Sequence, residues 1–247
     1  MIYSIFSGGG TIGEKILAFV MLAFTLVISL VIHEYAHGYT AYRLGDSTAK
    51  ADGRLSLNPL HHLDPIGTIM MLVIGFGYAK PVPVNTRYFK KPRRDFALVS
   101  LAGPLSNFLL AFLGAIFIGL LCGLGQISWA YGYSGYMFFY APETPAMVRA
   151  LATALYYFVV LNLGLGLFNL IPIPPLDGSN ILMCLLPNHL AAKYAQLRRY
   201  TMYFWIALIA LSWVRTINVF YPLQFIRDLI ADGFVGLWDT VFTAIIG

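Results

Sequence analysis

A bundle of membrane-spanning helices is the architecture this sequence predicts, and three observations lead there. Of its 247 residues 59% are hydrophobic and only 11% are charged, whereas a soluble domain carries roughly 25% charged residues. The apolar residues are gathered in long uncharged runs, which are long enough to cross a hydrocarbon layer. Lysine and arginine are gathered in the short loops between those runs, the pattern that fixes membrane topology. The net charge of +5 is therefore a topology signal, and nucleic acid is excluded as a partner.

The first run, "ILAFVMLAFTLVISLVI" at 16–32, continues without a breaker into His33, so one helix is expected. From Ile16 to His33 such a helix rises roughly 26 Å, against a hydrocarbon core of about 30 Å, which places His33 just inside one membrane face. The run lacks a basic leader and a small-residue cleavage site, so it is read as a retained span rather than a signal peptide. Residues 66–79 are apolar but too short to span and are broken by Gly75 and Gly77; they read as a re-entrant or interfacial segment, or a buried loop. Residues 96–123 form a second span, 148–170 a third, 179–187 a short apolar helix, and 201–220 a fourth span. The tail from Leu223, with Arg227, Asp228, Asp232 and Asp239 among apolar residues, reads as an amphipathic surface helix. Cys122 and Cys184 are far apart, each in an apolar run, without metal or redox spacing.

Orientation follows from the cations. Basic residues from Arg43 to Arg94 lie between the first and second spans, and Lys193, Arg198 and Arg199 lie between the third and fourth. The stretch from Gly123 to Met147 has no Lys or Arg. The amino terminus is then extracytoplasmic, and His33 lies near the cytoplasmic face.

"HEYAH" at 33–37 carries the chemistry. His33 and His37 are one helical turn apart and share a face. That spacing suits two imidazoles on one Zn²⁺, with Glu34 beside them to act on a water the metal activates. Ionisable groups inside a membrane segment are rare and usually functional. A catalytic zinc takes a third protein ligand and keeps one open position. Asp177 in "NLIPIPPLDG" follows the third span and arrives on the same side. Pro172, Pro174 and Pro175 bar a continuous helix there, and Gly178 allows a tight turn. An ordinary helix cap is the other reading of Asp177.

"HEYAH", "AGPLSN" and "NLIPIPPLDG", in that order, resemble the site-2 protease family of intramembrane zinc metalloproteases. "GRLSLNPLHHLDPIGT" and "GFGYAKPVPVN" resemble its compact branch, which lacks an inserted PDZ domain. The resemblance implies one membrane metalloprotease domain over 1–247, with a three-helix catalytic core at about 14–180, a re-entrant or extended segment, and C-terminal helices at 181–247. It implies one Zn²⁺ per chain, His33, His37 and Asp177 as metal ligands, Glu34 as the catalytic glutamate and Asn169 as the leading asparagine of the aspartate motif. Asn107 matches an asparagine over the site, which suggests an oxyanion donor; a helix–helix hydrogen bond is its other reading. His61 and His62 suit either outer-shell donors or interfacial polar residues, with His62 the closer match to the branch; His189 reads as a surface residue. The implied partners are the lipid bilayer and a transmembrane or membrane-associated protein substrate. A helical substrate hides its peptide bonds and must unwind, and "YAKPVPVN" suits an extended edge on which it could pair. Two rivals remain: a metal-binding membrane transporter, although the outer half of the spans offers little beyond Arg149 and Arg215, and a catalytically inert relative that binds membrane helices.

Overall fold

The computed structural model describes residues 12–74, 77–132, 135–212 and 220–246. Gly75, Ser134, Arg215 and the first residues of the chain, on which some sequence readings fall, lie outside them. The helices are α1 (Ile12–Arg43), α2 (Thr48–Ala51), α3 (Pro65–Ile74), α4 (Pro92–Gly123), α5 (Ala146–Asn169), α6 (Asp177–Leu185), α7 (Asn188–Gln196), α8 (Thr201–Ser212) and α9 (Tyr221–Ile246). Four of them, Lys15–Arg43 within α1, α4, α5 and α9, are long and apolar enough to cross a membrane. The protein is an all-α polytopic membrane protein.

Helices dominate because a chain in lipid must pair its own backbone donors and acceptors. Polar side chains inside the spans obey the same rule. Ser29 Oγ donates to the Thr25 carbonyl at 2.7 Å, and Asn169 Nδ2 to the Leu165 carbonyl at 3.0 Å.

α4 is the central helix, packed against α1, α5, α6 and α9. Its contacts give the directions. His33 and Asn107 meet, as do Ala41 and Val99, so α1 and α4 run antiparallel. Asn107 meets Asn162, and Gly114 faces Val159, so α5 is antiparallel to α4 as well. Phe112 packs on Phe234, and Gly123 faces Phe242, so α9 runs parallel to α4. The core between α4, α5 and α9 includes the small residues Ala111, Ala115, Ala152 and Ala231, which let membrane helices approach closely.

The C-terminal third differs from the sequence expectation. The expected span 201–220 begins as helix α8, Thr201–Ser212, and its residues 213–219 lie outside the described residues. It starts at the His33 end of the bundle, where Trp205 Nε1 donates to the Pro174 carbonyl at 2.8 Å. Phe220, just before α9, lines the same apolar cavity as Phe204 and Trp205. Among the described residues the fourth helix long and apolar enough to cross a membrane is α9, where the sequence suggested an amphipathic surface helix. Two of its four charges neutralise each other, Arg227 Nη2 standing 2.6 Å from Asp228 Oδ1.

Two further features carry no clear sequence signal. The stretch between α4 and α5 contains an antiparallel hairpin, β1 (Ile127–Gly132) with β2 (Gly135–Tyr140). The apolar stretch after Asp64 begins as helix α3, and residues 77–85 then run without helix or strand pairing.

Close packing of α9 on α4 is testable. A Cβ added to Gly119 would lie 2.4 Å from Trp238 Cβ and 2.6 Å from its backbone carbon, and backbone cannot yield as a flexible side chain can. Gly119→Ala should cost about 1–3 kcal/mol, measured as a lower unfolding midpoint of the purified protein in detergent.

Candidate metal centre

Three side chains from two distant stretches of chain converge at one end of the bundle. His33 and His37 are both buried on α1, on the face turned to α4. Their Nε2 atoms are 3.1 Å apart. Asp177, the first residue of α6, brings Oδ2 to 3.1 Å from His33 Nε2 and 3.3 Å from His37 Nε2. This is the His–Asp trio among the described residues whose ligand atoms lie close enough to hold a metal ion.

The hydrogen bonds decide which ring nitrogens carry protons. His37 Nδ1 stands 2.7 Å from the Val99 carbonyl, which can only accept, so Nδ1 carries a hydrogen, and in the neutral ring Nε2 is the bare nitrogen. For His33 the argument runs through two amides. The Phe158 carbonyl can only accept, so Asn162 turns its Nδ2 to it at 2.9 Å. Asn162 Oδ1 therefore receives Asn107 Nδ2 at 2.9 Å. Asn107 Oδ1 is then left facing His33 Nδ1 at 2.6 Å, and His33 donates. Both imidazoles thus present a lone pair at Nε2. Two lone pairs and a carboxylate oxygen within about 3 Å of one another repel unless a cation stands between them. Asp177 supplies a carboxylate oxygen as the third donor.

Space is reserved at the same point. A Cβ on Gly103 of α4 would lie 2.4 Å from His37 Nε2 and 2.6 Å from His33 Nε2. Glycine leaves open a hollow that any other residue would fill. Donor chemistry, protonation and hollow all fit Zn²⁺, which takes nitrogen and oxygen ligands at about 2.0–2.2 Å.

The loop that aims Asp177 is pinned from outside. Tyr194 donates to the Pro172 carbonyl at 2.8 Å and Trp205 to that of Pro174. A Cβ at Gly178 would lie 2.1 Å from the Leu170 carbonyl oxygen, so α6 starts directly against the end of α5.

The remaining sequence candidates fall as follows. Glu34, next to His33, accepts the Val82 N–H at Oε2, 2.9 Å away. Asn107 is fully buried, and its oxygen is used by His33 and its amide by Asn162. Asn169 bonds the backbone of its own helix and is not in the trio. His62 is fully buried; its Nε2 donates to the Ser56 carbonyl at 2.6 Å, and burial holds its pKa below the usual histidine value. His61 bonds the Gly53 carbonyl from an exposed position. Neither joins the trio. Asn162 and Gly103 were missed by sequence reasoning. Asn162 sits mid-span in an apolar run, the one signal that could have marked it.

Four apolar helices around a buried histidine–histidine–aspartate cluster define a polytopic membrane protein with a site fit for a metal. The chain belongs to Peptidase family M50, the site-2 protease family, whose model matches residues 21–212. It is 46% identical over 183 residues to "Putative zinc metalloprotease YwhC" of Bacillus subtilis, a match covering 72% of this chain and 75% of that one. It is 30% identical to "Putative zinc metalloprotease Rip2" of Mycolicibacterium smegmatis and 32% identical to the Rip2 of Mycobacterium tuberculosis (strain ATCC 35801 / TMC 107 / Erdman). Those two matches cover 66% and 65% of this chain and 56% and 55% of the relatives. No solved structure matches. The protein is a zinc metalloprotease of the membrane, and the transporter reading falls away.

Gly103→Ala should abolish zinc binding without unfolding the bundle, because the methyl group occupies the hollow. Asn107→Ala should be milder and weaken zinc binding about 10–100-fold, as loss of a partner behind a ligating histidine does. Metal analysis of both purified variants, with competition by a chelator, checks the order.

Proposed function

We propose that this chain is an intramembrane protease that hydrolyses peptide bonds of membrane-embedded proteins near the cytoplasmic face. The observation that carries the reading is the convergence of the Nε2 atoms of His33 and His37 and the Asp177 carboxylate, at one end of a bundle of apolar helices, with Glu34 adjoining them. His33 and His37 would hold one Zn²⁺ through Nε2 and Asp177 through Oδ2, leaving one position open. Bound there, the ion supplies Lewis acidity and lowers the pKa of water to about 7.

The chain's own groups do the rest. Glu34 accepts the proton of the attacking water and returns it to the leaving nitrogen as the C–N bond breaks. Asn107 is better read as a positioning residue than as an oxyanion donor, since both ends of its amide are already engaged. Its work is to fix the tautomer of His33. The substrate helix must unwind to expose its peptide bonds. The inert-relative reading is disfavoured because Glu34 is intact and its neighbours keep it beside the ligands.

Glu34→Gln should keep zinc and lose cleavage by about 10²–10⁴-fold, the usual worth of a general base. A suitable probe is a single-span peptide with a Gly-Pro break near its cytoplasmic end and a fluorophore at each terminus. Asp177→Ala should lower both zinc content and cleavage. Near wild-type cleavage by Glu34→Gln would remove Glu34 from the mechanism.

Topology is proposed from the cations: both basic loops cytoplasmic, the stretch from Gly123 to Met147 outside. In a background lacking Cys122 and Cys184, cysteines at Lys90 and Lys193 should react with an impermeant thiol reagent only from the cytoplasmic side, and one at Glu143 only from outside. Reversed labelling would overturn the orientation and the cytoplasmic access of water to the site.

A further inference from the structure

Glu34 has a carboxylate on a flexible stem, and freezing such a side chain costs up to about 2 kcal/mol. A base that must take a proton at one oxygen and release it elsewhere gains from being held. What holds it is the backbone of the extended segment 78–85. Val82 N–H donates to Glu34 Oε2 at 2.9 Å, and a backbone donor to a carboxylate is among the stronger hydrogen bonds.

The segment is built to present that one amide. Pro81 and Pro83 have no N–H, and their rings fix φ. Pro83 also biases Val82 toward extended backbone. Clamps lie on either side. Arg54 Nη2 donates to the carbonyls of Lys80 at 2.7 Å and Pro81 at 3.1 Å. Lys80 N–H donates to the His62 carbonyl at 2.8 Å. Asn85 N–H donates to Asp46 Oδ2 at 2.6 Å, and Asp46 is fully buried. Upstream, a Cβ on Gly67 would lie 2.1 Å from the Tyr78 carbonyl oxygen, so helix α3 and the outgoing segment touch backbone to backbone. The run "GRLSLNPLHHLDPIGT" thereby acquires a physical task. Its Arg54, the backbone of His62 and Gly67 all bear on this segment.

We infer that residues 78–85 form a strap whose Val82 amide orients the Glu34 carboxylate, with Arg54 and Val82 as positioning residues for the base. This rests on the reading of Glu34 as the base. A strand laid along the strap as an added edge would find the Val82 amide already used.

Hydrogen–deuterium exchange of the zinc-loaded full chain in lipid nanodiscs tests the contact without any substrate. Between Lys80 and Val84 the amides are those of Lys80, Val82 and Val84, since proline has none. Glu34→Ala should speed exchange at the Val82 amide by about tenfold or more, the scale of losing one hydrogen bond of about 1.4 kcal/mol or more, while Lys80 stays protected by His62. Equal exchange at Val82 in wild type and Glu34→Ala overturns the inference.

Cleavage of the two-fluorophore peptide tests the consequence. Val82→Pro removes the N–H in a setting that already suits proline, and Val82→Ala removes the side chain but keeps the N–H. Val82→Pro should have a kcat about 10–100-fold below that of Val82→Ala, with KM and zinc content matched between the two. Equal kcat values in the two variants overturn the inference. So does a rise in KM alone, which would make the strap a substrate edge. If wild type leaves the peptide uncut while the exchange result holds, the protease reading fails and the Val82–Glu34 contact stands.

Discussion

Both imidazoles must meet the metal with a bare nitrogen, and the polar interior of the bundle is arranged around that requirement. A carbonyl on α5, that of Phe158, sets the direction of Asn162; Asn162 sets Asn107; Asn107 sets His33. A reversed amide anywhere in that line would face donor with donor or acceptor with acceptor. Leaving a buried polar group unsatisfied costs about 1–3 kcal/mol, and little competing water reaches the hydrocarbon region. His37 needs no relay because the Val99 carbonyl is in direct reach. Two independent routes therefore deliver one protonation state.

Helix packing serves the same end. α4 lends the site a hollow at Gly103, a carbonyl at Val99 and an amide at Asn107, all from one helix. These residues are four apart, so they share a face, and that face is turned to α1. Pro104 sits inside this stretch and removes one backbone donor. Asp177 arrives from a helix start whose aim is set by Pro-rich loop carbonyls tied to Tyr194 and Trp205. The metal would thus tie α1 to α6 across a loop that is already braced.

The local signals were legible and the relational ones were not. Spans read at 16–32, 96–123 and 148–170 correspond to α1, α4 and α5 because apolar length is a property of a single segment. His33, His37 and Asp177 were legible because ligand types and helical spacing are written in the chain. Asn107 was singled out with two readings, an oxyanion donor and a helix–helix hydrogen bond; its contacts with His33 and Asn162 are of the second kind, and its partners come from α1 and α5, which no local pattern names. Gly103 could not be singled out because its value is an absent methyl group facing two side chains from elsewhere. The tail was misread by treating Arg227 and Asp228 as separate exposed charges, although adjacent opposite charges can neutralise each other at the helix surface.

α9 has a consequence for how such proteins diverge. The family match ends at residue 212, yet α9 lies beyond it and rests on the helix that carries Gly103 and Asn107. Its seat is a pair of notches at Gly119 and Gly123, facing Trp238 and Phe242. A last helix borrowed from another member would arrive with bulk in different places, and the notches on α4 would have to move with it. Lineages free to vary the C-terminal helix are thus constrained to vary the outer turns of α4 in step, while the inner turns, one helix repeat after another away, stay fixed by the metal.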